Sequence, residues 1–176
     1  MSLDVNPVGK GYALWLVPAD PEFGQLAEQI ARLSRELTTP QFDPHITLLS
    51  GITLPGVETL ARSAVLAASL TSFQIELDGI SCPDEYFRCI FVGVIPDVPI
   101  LKAHQVAREI FDMDDEQPYM PHISLVYGKL PQVTKERIIA ELASMTGGSF
   151  EVRRLAVWRV SGPVHEWTCI KEFDLK

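Results

Sequence analysis

Four residues of this chain have the types and spacing to move protons around one reacting group: His45 with Thr47, and His122 with Ser124. Phe42-Asp-Pro-His-Ile-Thr-Leu-Leu-Ser-Gly51 aligns without a gap to Tyr119-Met-Pro-His-Ile-Ser-Leu-Val-Tyr-Gly128. The offset is 77 (122 − 45 = 77), and proline, histidine, isoleucine, leucine and glycine repeat identically. In a strand, residues i and i+2 share a face, so each histidine projects with its hydroxyl while Ile46 and Ile123 turn to the core. Two such pairs facing each other across a groove suit displacement at phosphorus, where entering and leaving oxygens lie on opposite sides. Imidazole titrates near neutrality and serves as base or acid. The hydroxyls can donate to the non-bridging oxygens as charge develops. This chemistry needs no metal and no cofactor. It does not say which histidine is base and which is acid, because the repeat makes them nearly equivalent.

The elements that must position these residues repeat as well. Phe73–Leu77 matches Phe150–Arg154 in alternation at the same offset, and Ile80 falls on Val157. Leu14–Pro18 answers Phe91–Pro96 with one inserted residue. A period this long, occurring twice, means two intimately packed lobes rather than a solenoid. Each copy reads as strand, helix, strand, helix, strand. The first predicts strands over 12–17, 45–49 and 73–80. Its first helix, over 22–36, follows Pro21 as a favoured first helical residue and sets Phe23, Leu26, Ile30, Leu33 and Leu37 at helical spacing. An alanine-rich helix over 57–70 follows. The second copy predicts strands over 86–94, 122–127 and 150–160, with helices over 100–111 and 135–144. A last strand is expected near 167–173. The fold class is α+β: one domain over 1–176 made of two pseudo-symmetric repeats (about 12–80 and 86–160). Two mainly antiparallel sheets should face a central cleft with the helices outside. Gly147 and Gly148 mark a turn, not a boundary.

Composition sets the limits. A chain of 176 residues, 47% of them hydrophobic, can build a core without a disulfide or metal staple. Cys82, Cys89 and Cys169 are odd in number and form no CxxC pair, so no disulfide framework or zinc site is indicated. Cys89 reads as a small buried hydrophobe. Fifteen basic against 23 acidic residues give a net charge of −8, and the only adjacent basic pair is Arg153–Arg154. That argues against long RNA or DNA as a partner, since phosphate neutralisation supplies most of such affinity. No apolar stretch nears the ~20 residues of a membrane span, and no secretory signal is visible. A soluble, cytoplasmic protein is expected; its oligomeric state is unreadable and a monomer is compatible. His104 and His165 read as surface or capping residues, and Trp15, Trp158 and Trp167 as core or sheet-face residues rather than a nucleobase sandwich. The acidic run 112–116 lacks calcium-loop spacing and reads as a solvated helix end. Tyr127 follows Ser124 by three positions and can reach the same surface only if its strand ends or bulges near Gly128. Phe87 reads as a core residue rather than a ligand platform.

The two tetrads, Pro44–Thr47 and Pro121–Ser124, resemble those of the two-histidine (2H) phosphoesterases, and within them the plant- and yeast-type cyclic phosphodiesterases. Pro118-Tyr-Met-Pro-His-Ile-Ser-Leu-Val-Tyr127 is similar to the plant second motif almost residue for residue. Tyr12–Pro18 resembles the opening strand, and Phe87-Arg-Cys89 resembles a Phe-Gln-Cys. The resemblance implies a LigT-like 2H fold. It implies opening of ADP-ribose 1″,2″-cyclic phosphate to the 1″-phosphate, downstream of tRNA splicing, and of nucleoside 2′,3′-cyclic phosphates to 2′-phosphates. It implies that His45 and His122 are catalytic and that Thr47 and Ser124 bind substrate. Tyr127 matches a tyrosine contacting the phosphate, and Phe87 an aromatic beside base or sugar. The plant enzyme's disulfide cysteines lack counterparts here. Two alternatives stay open: the same chemistry on RNA ends, as a 2′,3′-cyclic phosphodiesterase or ligase, and a non-catalytic nucleotide or ADP-ribose binding module.

Overall fold

The chain runs β1 (Tyr12–Pro18), α1 (Glu22–Leu37), β2 (Ile46–Ile52), α2 (Gly56–Ser69), β3 (Phe73–Ser81), β4 (Ile90–Val94), α3 (Val98–Phe111), β5 (His122–Val126), α4 (Gln132–Glu141), β6 (Ser149–Arg159) and β7 (Thr168–Asp174). This is a computed structural model describing residues 6–114, 118–145 and 147–176. The element order is the one the hydrophobic pattern predicts.

All strand pairings are antiparallel, in the order β1-β2-β5-β4-β3-β6-β7, and β1 also pairs with β6. The two expected sheets are therefore halves of one continuous sheet, β2-β1-β6-β7 on one side and β5-β4-β3 on the other. A single bridge, Ile46 to Ile123, joins β2 to β5. The other join is β6, which pairs through 149–152 with β3 and through 152–159 with β1. A seam only one bridge wide lets the halves diverge beside the two histidines.

The register carries the 77-residue offset. Ile46 pairs with Ile123, and Gln74 pairs with Glu151. Partners equivalent in sequence and paired antiparallel are what an isologous contact about a twofold axis produces. Third strands are exchanged: β3 pairs with β4 and β6 with β1. Helices cross over likewise, α1 packing on β5 and α3 on β2.

Strand alternation divides the core. Leu14 and Leu16 of β1 join Ile46, Ile123 and Ile75 under the helices, all fully buried. Each such side chain contributes about 1.5–3 kcal/mol. Ala13, Trp15 and Val17 point the other way and pack with Ala156 and Val160.

Three local differences from expectation have physical causes. β4 begins at Ile90, and residues Tyr86–Arg88 form a 3₁₀ turn instead of strand. Their carbonyls are taken by other donors: Gly128 N–H bonds Tyr86 O at 2.9 Å and the Ser124 hydroxyl bonds Phe87 O at 2.9 Å. Helix α4 starts at Gln132, earlier than expected, because Pro131 sits at its N-cap and its carbonyl accepts from Lys135 N–H. His45 lies just before β2 rather than within it. In the acidic run, Asp112 caps α3 in the left-handed region and pairs with Arg62 at 2.7 Å; residues 115 and 116 lie outside the described residues. Among the described residues no helix is long and apolar enough to cross a membrane.

Candidate active site

His45 and His122 are held by the same device. His45 Nδ1 lies 2.6 Å from Asp43 O, and His122 Nδ1 lies 2.9 Å from Met120 O. A carbonyl can only accept, so each Nδ1 carries the hydrogen, and each neutral ring presents its Nε2 as an acceptor. Both acceptors stand two residues before their histidine, where Pro44 and Pro121 hold the chain extended.

An aromatic from the neighbouring strand backs each ring. Trp15 pairs across β1–β2 with Thr47, and its indole stacks on His45 at 3.4 Å between centroids and 4° between planes. Phe91 pairs across β4–β5 with Ser124 and lies 4.9 Å from the His122 ring. The two environments otherwise differ. His45 is buried, and desolvation lowers its pKa to about 3 against the opposing pull of the Asp43 carbonyl, with the charge of nearby His122 lowering it further. His122 is half-buried; desolvation lowers its pKa too, the Met120 carbonyl raises it, and Arg88 lowers it.

All six residues singled out in the sequence line one cleft of about 430 Å³: His45, Thr47, Phe87, His122, Ser124 and Tyr127. Tyr127 reaches it because β5 ends at Val126. Its hydroxyl stands 3.4 Å from His45 Nε2, and burial pushes its pKa up, so it stays a donor. Phe87 meets the Tyr127 ring edge-on at 5.3 Å. The Tyr119 hydroxyl donates to Thr47 O at 3.0 Å and fixes that turn of strand.

The cleft also contains residues that the sequence did not assign to it. Trp15 and Trp167 both line it: Trp15 is a buried core residue, as expected, that also reaches the cleft, while for the half-buried Trp167 the core or sheet-face reading is corrected. Trp167 is held by its indole N–H on Gly162 O at 3.1 Å, and its ring packs near Phe87 at 5.8 Å. Trp158 stays on the sheet, stacked on Trp15. His104 is buried and stacks on Tyr119 at 3.9 Å, a correction to its surface assignment. His165 is exposed in a 3₁₀ turn. Lys10 and Arg88 are the acid–base residues lining the cleft besides its histidines and tyrosine, and both are cationic. Lys10 stands at the rim between two obligatory glycines: a Cβ on Gly9 would sit 2.1 Å from Val160 O, and Gly11 has φ +66 with Ile52 O 2.0 Å from its Cβ position. A signal for Arg88 was available, since it adjoins Phe87, but nothing in its spacing marked it. No group of three or more His, Cys, Asp and Glu among the described residues could hold a metal ion.

The arrangement is two imidazole Nε2 atoms, several hydroxyls and two cations around a water-accessible cleft with no carboxylate among its described lining residues. It can take an anion and pass protons to and from it. The family model described as "Cyclic phosphodiesterase-like protein" matches residues 10–175. The chain belongs to that family, and with it to the 2H phosphoesterases. A curated relative, the cyclic phosphodiesterase of Arabidopsis thaliana, is 28% identical over 153 residues, covering 83% of each chain. The 2′,3′-cyclic-nucleotide 3′-phosphodiesterase of Kluyveromyces lactis is 24% identical over 208 residues, 92% of this chain and 97% of its own. Among solved structures, E. coli LigT complexed with 3′-AMP superposes with a TM-score of 0.66 at 16% identity, covering 96% of this chain and 99% of LigT. TT0787 of Thermus thermophilus gives 0.63 at 19% identity, covering 94% and 97%. These two share the fold. As a family member the protein is an enzyme of cyclic phosphodiester hydrolysis.

Proposed function

We propose that the enzyme opens small cyclic phosphodiesters by direct attack of water, with His45 as general base, His122 as general acid, and no metal. The substrates of this reading are ADP-ribose 1″,2″-cyclic phosphate, giving the 1″-phosphate, and nucleoside 2′,3′-cyclic phosphates, giving 2′-phosphates. The ADP-ribose substrate would place the enzyme downstream of tRNA splicing. The observation that carries the reading is the matched tethering of both imidazoles: each Nδ1 is committed to a backbone carbonyl, and each Nε2 is left for one shared cleft.

Water gives its proton to His45 Nε2 as its oxygen bonds to phosphorus. The P–O3′ bond (P–O2″ in the ADP-ribose substrate) breaks on the far side, and the leaving oxygen takes a proton from His122 Nε2. Burial supports the division of labour. The deeply buried His45 accepts from the Tyr127 hydroxyl and rests neutral, as a base must. The half-buried His122 faces more water, and a bound phosphate anion would favour its protonated form. Thr47, Ser124 and Tyr127 supply donors to the non-bridging oxygens. The Ser124 hydroxyl, which bonds Phe87 O in the resting site, turns on its own rotor to do so. Phe87 and Trp167 offer faces to the base or sugar. Cleavage at the 3′ ester agrees with the name of the Kluyveromyces relative.

The test is turnover of ADP-ribose 1″,2″-cyclic phosphate and a 2′,3′-cyclic nucleotide side by side in excess EDTA, with products identified by phosphorus NMR. Opening of both to the stated monoesters is expected. Activity that vanishes in EDTA and returns with Zn²⁺ would replace this mechanism with a metal-dependent one.

A further inference from the structure

The two motifs agree in strand pairing as well as in sequence, up to one position. Leu49 pairs with Leu14 and Thr47 with Trp15; their equivalents, Val126 and Ser124, pair with Ile90 and Phe91. The next residues, Ser50 and Tyr127, leave that shared pattern at the same place, and both line the catalytic cleft. Serine against tyrosine is the largest difference in side-chain size between the aligned motifs.

Tyr127 closes the space over His45. Its ring stacks on Phe42 at 3.8 Å, and its hydroxyl stands 3.4 Å from His45 Nε2. Behind it His45 is only 5% exposed. In the other copy Tyr119 is the equivalent of Phe42, but its ring stacks on His104 of α3. Beside it lies a hollow of about 240 Å³, lined by Thr47, Ser50, Tyr119 and Met120, which shares Thr47 and Ser50 with the cleft. By the repeat, this is where a phenol at position 50 would lie. His122, tethered to Met120 O at one edge of this side, is half-buried.

Charges do not separate the two rings in the same way. On His122, Arg88 and Glu85 of the 3₁₀ turn act with opposite signs, and His45, Tyr127 and Lys10 line the same cleft. On His45 the titratable neighbours are His122 and the Tyr127 phenol. Desolvation is the largest influence on both rings, so what covers each ring matters most.

We infer that positions 50 and 127 decide which histidine is the base and which the acid: tyrosine at 127 shuts His45 from water, and serine at 50 leaves His122 open to it. Ser50 is thus a positioning residue that acts through the space it leaves, not through its hydroxyl. This rests on the proposed function and names what breaks the near-equivalence of the repeats.

The experiment follows the rings of His45 and His122 by NMR across pH in the resting enzyme, beside the pH profile of kcat/KM on 2′,3′-cyclic AMP. Ser50→Tyr and Ser50→Phe fill the hollow and should move the His122 titration to lower pH, because burial disfavours the imidazolium. Ser50→Ala removes the hydroxyl but keeps the space, and should leave that titration in place. An acid works only below its own pKa, so the basic limb of kcat/KM should move down with His122 in both filled variants. Their kcat/KM at neutral pH should fall roughly tenfold, a part of the ~10²–10⁴ that a general acid supplies. At the other ring, Tyr127→Ser should move the His45 titration upward, and Tyr127→Phe, which keeps the bulk, should move it less. A His122 titration indifferent to both filled variants, or shifted as far by Ser50→Ala, would overturn the inference. So would a basic limb that stays in place while the titration moves. Should the enzyme open no cyclic phosphate, the proposed function fails, and the titrations alone still decide whether these two positions set the rings apart.

Discussion

In the proposed mechanism His45 is held neutral, as a base must be, by being kept from water. Stacked on Trp15 and bonded through Nδ1 to Asp43 O, it has a pKa lowered to about 3, chiefly by burial. The sign then follows. The base must be neutral, which holds above the His45 pKa; the acid must be protonated, which holds below the His122 pKa, itself lowered from 6.5. A bell-shaped kcat/KM profile with its maximum on the acid side of 6.5 is expected, and a maximum above neutrality would contradict the lowering of both histidines. Trp15→Leu should let water reach His45 and move the acid limb upward, toward the ordinary histidine value. An acid limb that stays in place in that variant would show the indole to be mere packing. The tetrads made His45, Thr47, His122 and Ser124 legible because chemistry and repetition coincide there. Trp15 was not legible, because it becomes a neighbour of His45 only through the β1–β2 register, which no local spacing encodes.

At the scale of elements, periodicity gave the order of strands and helices, while pairing had to be supplied by the fold. The pattern cannot show that β3 leaves its own copy for β4, or that β6 leaves for β1. The late start of β4 was equally hidden: the 86–88 stretch has the apolar, aromatic look of a strand, and its conformation is set by Ser124 and Gly128, far along the chain. That turn carries both Phe87 and Arg88. A buried lysine on α4 secures the approach to it, Lys135 Nζ donating to Pro83 O at 3.0 Å with Asp84 at 3.6 Å. Lys135→Ala should destabilise the protein by about 1–3 kcal/mol in urea unfolding, the cost of a part-buried acceptor left unpaired and a lost charged bond. The same variant should lower kcat/KM as the turn loosens. Unaltered stability and kinetics would remove Lys135 from this role.

Over the whole molecule, a net charge of −8 surrounds a cleft whose charged lining residues are Lys10 and Arg88. A small anion meets local cations, whereas a polyanion must also meet the acidic exterior. An oligoribonucleotide ending in a 2′,3′-cyclic phosphate should therefore be opened with lower kcat/KM than the corresponding mononucleotide at low salt, and the gap should narrow as salt screens the exterior. A polymer preferred at every ionic strength would favour RNA ends as the substrate. The paired equivalents Ile46–Ile123 and Gln74–Glu151 set the two histidine motifs against each other, so that both line one cleft rather than each owning its own. The central claim is that His45 and His122 work as one acid–base unit. It is tested most directly by kcat/KM on 2′,3′-cyclic AMP in EDTA for His45→Ala, His122→Ala and the double variant. Each single change should cost roughly 10²–10⁴ in rate, with little further loss in the double variant; either single variant turning over within a few fold of wild type would contradict it.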